Sequence, residues 1–331
     1  MSVNYELLHK IRQHINRIEK KNELLERKQK WLRVTASLDV LEDTASAITY
    51  YQSSEYPSEL NGRYLFTYGL LQALFVQLDA VNSIHCALFD KQVDFKTSYP
   101  DAFAIRNMRN DVIGHPTCRN NKEFIYLVQH SLSKEGFSYI KAEDDNNQSQ
   151  VIDVDVQKAV SDATACVNMI LTAMVGLLDK EFREYIDKHK SRKMKEIFVQ
   201  LGYVREKVLT ADSCFSDWGF STAKDMVKRC EDELRLRYDT IESLDSYSYL
   251  LDEIHEIFDL IDNSLLRVPV EYRAGIRKYL LQLLFVKLEE LESYCEETDQ
   301  YFEHYGNPPC ECLEGAYTPD IILKGENELT D

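Results

Sequence analysis

A mainly α fold is what this sequence predicts, and three patterns predict it. Leu7, Ile11, Ile15 and Ile18 recur at the three- to four-residue spacing that places side chains on one helical stripe. Residues from about Arg63 to Phe89 are apolar nearly all round, as in a helix buried on every side. Val156, Ala159, Val160, Ala163, Val167, Ile170, Met174 and Leu177 form another stripe of helical period within a segment running from about Val154 to Lys190. The two long apolar segments can pack on each other, so an antiparallel helical bundle is expected, extended by N- and C-terminal helices.

Taken in order, residues 3 to 52 read as helical, with a second helix from about Thr35 to Tyr51. The stretch Ser53 to Asn61, with Pro57 inside it and Gly62 just after, reads as a turn-rich boundary. The long helix follows. Its polar exceptions Gln72 and Asp79 stand seven apart on one face with Tyr68 and Cys86. Buried polar groups need partners, and two readings are open: Gln72 or Asp79 holds Arg109 or His115 in place, or both meet backbone or water. Glu123 to Val128 and Phe137 to Ile140, separated by the turn-like Ser133-Lys134-Glu135-Gly136, read as a short β-hairpin inserted near 123 to 141. Glu143 to Gln150 reads as a polar loop. Beyond the helix to Lys190, helical segments are expected near Met194 to Leu209, Ser221 to Tyr238, Tyr247 to Leu266 and Val270 to His304. None carries a catalytic signature, so that part is expected to pack, dimerise or recognise a partner. The stretch from Cys310 onward is expected to be a flexible acidic tail.

Composition narrows the function classes. With 331 residues and 44% apolar content the chain can bury a sizeable core. The formal charge of −17 is concentrated at one end, because residues 289 to 331 hold thirteen acids and one lysine. Lys10 to Arg33 carries nine bases against three acids, and Lys188, Lys190, Arg192, Lys193 and Lys195 form a second basic cluster. Either cluster can contact phosphates or simply solvate a helix face. Eight cysteines are scattered without a secretion signal, and the N-terminus opens on a charged helical pattern, so a cytoplasmic location is expected. No uninterrupted apolar run approaches the ~20 residues of a membrane span. Cys310, Cys312 and His304 lack the spacing of a common zinc site, and neither metal nor cofactor is expected. A Walker loop, a dinucleotide fingerprint and an H-E-x-x-H motif are all absent from the sequence.

The chemistry-bearing segment is Arg106-Asn107-Met108-Arg109-Asn110-Asp111-Val112-Ile113-Gly114-His115-Pro116-Thr117. Arginine offers a permanently charged planar fork for phosphate, and an imidazole titrating near neutrality can take or give the proton that phosphodiester cleavage requires. Arg109 and His115 are six positions apart, about 600° of rotation on a regular helix, and so would not share a face. Gly114 and Pro116 flank the histidine, and proline disfavours helical geometry in the residue before it. The helix carrying Arg109 is therefore expected to end near Gly114, letting His115 fold back. The plainer reading is an ordinary helix end, with Arg109 paired to a carboxylate and His115 capping.

Arginine, four to six intervening residues of which the first is polar, and then histidine is the hallmark of the HEPN superfamily, which Arg109, Asn110 and His115 resemble. The resemblance covers roughly residues 60 to 180. It implies a HEPN-like domain at 56–190, between an N-terminal helical extension at 1–55 and a C-terminal helical region at 191–309, with the acidic tail at 310–331. It also implies a metal-independent endoribonuclease, a homodimer that brings two copies of the motif together, and a setting in toxin action or antiphage defence with a possible regulatory protein partner. In that scheme the ribose 2′-hydroxyl attacks its own phosphate, His115 acts as general base or acid, Arg109 stabilises developing charge, and Asn110 orients phosphate or histidine, with Gln72 and Asp79 supporting. The alternative is a non-catalytic HEPN-like scaffold, or a module that binds nucleotide or RNA without cutting.

Overall fold

The computed structural model describes residues 2–114, 123–143, 148–210 and 213–306, and it is mainly helical with one small antiparallel sheet. His115, the acidic tail from Cys310 and the pair Cys310 and Cys312 lie outside the described residues. The chain divides into two compact units, residues 1–179 and 180–331.

The first unit opens with α1 (Tyr5–Asn16), capped by Asn4, whose Oδ1 accepts from the Glu6 amide at 3.0 Å. Of the predicted stripe, Ile11 and Ile15 are buried, Leu7 is half-buried with Leu8 buried beside it, and Ile18 is half-buried at the start of the next helix. Helices α2 (Ile18–Glu26) and α3 (Lys28–Ser53) follow, so the stretch read as two helices is three. The connector 54–59 then turns the chain into α4 (Leu60–Phe89). Lys30 donates to Asp90 at 2.7 Å and Arg33 to Ser83 at 2.9 Å, while Tyr51 at the other end of α3 meets Phe66 with ring centroids 6.0 Å apart. These contacts fix α3 and α4 as an antiparallel pair, and Leu38, Leu41, Leu74, Leu78 and Val81 fill the core they share.

Asp90 ends α4 in the left-handed region, at φ 54. A single turn, α5 (Phe95–Ser98), leads to α6 (Pro100–Arg109), where Pro100 occupies the start of the helix at which its missing N–H costs nothing. The chain then widens into one π turn, Asn110–Gly114.

The inserted β element is larger than the hairpin expected. Three antiparallel strands, β1 (Glu123–Leu127), β2 (Gly136–Glu143) and β3 (Gln148–Asp155), pair in the order β1-β2-β3. β3 takes residues read from sequence as polar loop and helix start. It alternates, with Ile152 and Val154 half-buried and Val151, Asp153 and Asp155 exposed. Gly136 pairs with Asp155 at the end of β2, where a Cβ would stand 2.4 Å from the Val154 carbonyl oxygen, so only glycine fits there. Helix α7 (Val156–His189) starts where β3 stops.

The second unit takes the last turns of α7, a 3₁₀ segment (Met194–Phe198), α8 (Leu201–Thr210), α9 (Ser213–Tyr238), α10 (Asp245–Asp259) and α11 (Val270–Gly306). Asp299 on α11 caps the 3₁₀ segment, accepting from the Met194 and Lys195 amides at 2.9 Å each. Phe198, Leu234, Ile254, Phe285, Leu288 and Phe302 are among its buried core residues.

The lack of an uninterrupted apolar run does not by itself rule out helices of membrane length and average composition. Leu60–Phe89 and Val156–Leu209 are long and apolar enough by composition, with windows of mean hydropathy 1.2 and 1.5, because averaging tolerates the polar residues that interrupt a continuous run. Half of each window is buried inside the protein, as in core helices.

Candidate functional site around Arg109

Two elements place the site. On α4, Gln72, Phe75 and Asp79 sit at i, i+3 and i+7 and share one face. On α6, Arg106 and Arg109 are three apart and also share a face. Arg109 lies half-buried between the two helices. Its Nε–H and Nη2–H both donate to Gln72 Oε1, at 3.0 and 2.8 Å, and its Nη1–H donates to Asn110 Oδ1 at 3.1 Å. The guanidinium carbon stands 4.4 Å from the centroid of the Phe75 ring. Charge-assisted hydrogen bonds are worth about 1.5–3 kcal/mol each and a cation over an aromatic face about 0.5–2 kcal/mol, so the head group is held in one orientation.

Asp79 does not reach Arg109. It forms an ion pair with Arg106, whose guanidinium also packs on Phe75 at 4.8 Å and on Phe95 at 5.3 Å. Phe75 is thus a shared floor for two arginines. The sequence reading missed Phe75 and Arg106, though both were findable: Phe75 falls on the stripe that joins Gln72 to Asp79, and Arg106 lies one turn before Arg109.

The helix end differs from the simple stop expected near Gly114. Helical geometry continues through Gly114, but as a π turn, and such turns concentrate at functional sites. The wider turn brings Gly114 back toward the arginine, because a Cβ built there would lie 3.0 Å from Arg109 Nη1 and 3.5 Å from Asn110 Oδ1. Gly114 itself is exposed, and His115 is the next residue in the chain.

A guanidinium has five N–H groups. Among the described residues, Nε–H, one N–H on Nη2 and one on Nη1 are engaged, which leaves one N–H on each terminal nitrogen for an incoming acceptor. Asn110 spends its carbonyl on Arg109 and keeps its amide N–H groups. The chemistry on offer is an oriented cation with two spare donors, matched to a phosphate oxygen pair.

The basic clusters are less available than their sequence suggests. In the second cluster Arg192 pairs with Glu233 at 3.3 Å, Lys195 with Glu296 at 2.7 Å, Lys193 with Glu303 and Lys190 with Asp187. In the first, Arg12 bridges Asp39 and Glu42 at 2.8 and 3.0 Å, Arg17 pairs with Glu19 at 2.7 Å, and Lys20 with Glu23 at 2.8 Å. No group of three or more His, Cys, Asp or Glu side chains is arranged to hold a metal among the described residues.

No family model, curated protein or solved structure matches this chain.

Proposed function

We propose that this protein is a metal-independent endoribonuclease of the HEPN type, acting in the cytoplasm as a homodimer. The observation that carries the reading is the state of Arg109: fixed by Gln72, Asn110 and Phe75, with one N–H on each terminal nitrogen unengaged among the described residues, at the end of α6 and followed by a π turn whose last residue precedes His115 in the sequence. In this reading Arg109 grips the scissile phosphate and stabilises the charge that builds as the ribose 2′-oxygen attacks phosphorus. His115 takes the 2′-hydroxyl proton or protonates the departing 5′-oxygen, and the second copy's His115 does the other job. Products are a 2′,3′-cyclic phosphate and a 5′-hydroxyl.

One observation favours a second reading, a HEPN-like scaffold that does not cut. Most of both basic clusters is neutralised by carboxylates of the same chain, which weakens the counterion-release contribution that dominates affinity for nucleic acid. Substrate chemistry separates the two. Mixed-sequence RNA incubated with the protein in EDTA should yield fragments ending in 2′,3′-cyclic phosphate, and the same strand made with 2′-deoxyribose should resist. Intact RNA under those conditions would leave the scaffold reading standing, and cleavage of the deoxy strand would exclude the 2′-hydroxyl mechanism.

A further inference from the structure

The second unit exposes a coiled-coil seam. On α11, Tyr272, Ile276, Tyr279, Leu283 and Val286 follow one another at spacings of four, three, four and three, the alternation of a heptad repeat. All five are between 38% and 75% exposed. The face of α11 that packs into its own unit is a different one, made by Leu281, Leu284, Phe285, Leu288 and Leu291.

Moreover, the first three turns of α11 bury nothing. From Val270 to Leu280 no residue is buried in its own chain, and Leu281 is the first that is. These turns extend a helix that packs only from Leu281 onward, so beyond the half-buried Arg273, Arg277 and Leu280 they gain little from tertiary burial. Gly275 adds to the weakness, since glycine is a poor helix former, and the space its Cβ would fill is empty. Such a segment is expected only where another surface covers it.

We infer that a second copy of this chain covers it, in an antiparallel pairing of the two α11 helices. Two features select that occupant and orientation. The seam is self-complementary about a two-fold axis near Leu281: Tyr279 meets the partner's Leu283, and Ile276 meets the partner's Val286. Its ends differ in charge: Arg273, Arg277 and Lys278 stand at one end, where Arg277 already pairs with Asp217, and Glu289 and Glu290 at the other, where Glu289 already pairs with Arg205 and Glu290 with Lys287 at 3.1 Å. Antiparallel packing sets the basic end against the acidic end, whereas parallel packing would stack like on like. Neither Arg273 nor Lys278 is paired with a carboxylate among the described residues; Arg273 instead donates to the Val268 and Leu266 carbonyls at 2.7 and 2.9 Å.

The size of the seam sets its strength. Two largely exposed tyrosines and three aliphatic side chains offer roughly 450 Å² per copy, which with flanking polar groups reaches the low end of specific interfaces. Interfaces of that size are typically weak and transient, so an equilibrium between dimer and monomer is expected. The pairing does not rest on the ribonuclease reading, but that reading also has a homodimer, so the position-specific crosslink below, rather than mass alone, tells the α11 pairing from a dimer formed elsewhere.

Sedimentation equilibrium of the full chain should show a monomer–dimer equilibrium, and the double variant Ile276→Glu/Tyr279→Glu should associate at least about tenfold more weakly with unchanged helical circular dichroism. A parent that is monomeric to about 100 µM, or a folded variant that dimerises as the parent does, overturns the proposal. Photo-crosslinkable p-benzoylphenylalanine placed at Tyr272 reads the geometry without disrupting the seam. Crosslinks to a second copy within residues 286–290 are expected. Crosslinks elsewhere, or none between copies, overturn the antiparallel pairing.

Discussion

Gln72 holds Arg109 through a single oxygen: Oε1 accepts from both Nε–H and Nη2–H, at 3.0 and 2.8 Å. That arrangement uses the Nε–Nη2 edge of the guanidinium. Rate should accordingly depend on a residue that need not touch substrate. Gln72→Leu keeps the bulk of the side chain and removes the acceptor, so cleavage should slow by roughly ten- to a hundredfold if one charge-assisted bond's worth of positioning is lost. The half-exposed position should keep the melting temperature close to that of the parent. Initial rates beside a thermal melt check this, and a parental rate would show that Arg109 requires no such anchor.

Gly114→Ala tests the same group from the other side. A Cβ would stand 3.0 Å from Arg109 Nη1, too close for the present arrangement, but the obstacle is the end of a flexible side chain and can move. The guanidinium should shift and activity fall, with stability changed by less than about 1 kcal/mol. Activity that drops only in step with unfolding would contradict this.

Much of this fold was legible in the sequence, and the reasons it was or was not are local. α4 announces itself as a long segment apolar nearly all round, and α7 by apolar residues that repeat with the helical period from Val156 to Leu177. β3 was hidden because Gln148-Ser149-Gln150 is loop-like in composition, and Val151 to Val154 continues straight into a helical pattern. Pairing with β2 decides the strand, and that contact is not encoded in β3 alone. At the site, the pairing of Gln72 with Arg109 and of Asp79 with Arg106 depends on the register between α4 and α6, which spacing within either helix does not fix.

Burial makes one histidine a pH sensor for stability. His189, enclosed by Tyr185, Phe302 and Arg237, is pushed down to about 4 by desolvation first and then by neighbouring Lys188, Arg237 and Arg192. The unfolded chain binds this proton near pH 6.5 and the folded chain only near 4, so stability is full above about pH 6.5 and declines as pH falls through that window, by at most ~1.4 kcal/mol per pH unit. Urea midpoints at pH 7, 5.5 and 4.5 should therefore fall more steeply for the parent than for His189→Phe. Parallel declines would remove His189 as the cause.

The buried thiols should be inert while the protein is folded. Burial pushes Cys166 up to about 12, and Cys230, hydrogen-bonded to Cys295 with the sulfurs 3.5 Å apart, is held well above the ordinary thiol range by that bond and by burial. Alkylation needs thiolate. Iodoacetamide at pH 8 should leave all three unmodified in native protein and label them in urea, as read by peptide mass spectrometry. Labelling of native protein at the rate of a free thiol would show that the helices around them open.

The ribonuclease reading stands most directly on one comparison, the rate at which purified parent and His115→Ala proteins cut single-stranded RNA in EDTA. General acid–base catalysis is worth about 10² to 10⁴ in rate, so the account predicts cleavage by the parent and at least a hundredfold loss in the variant. Equal rates for the two proteins, or cleavage that appears only when magnesium is restored, would contradict it.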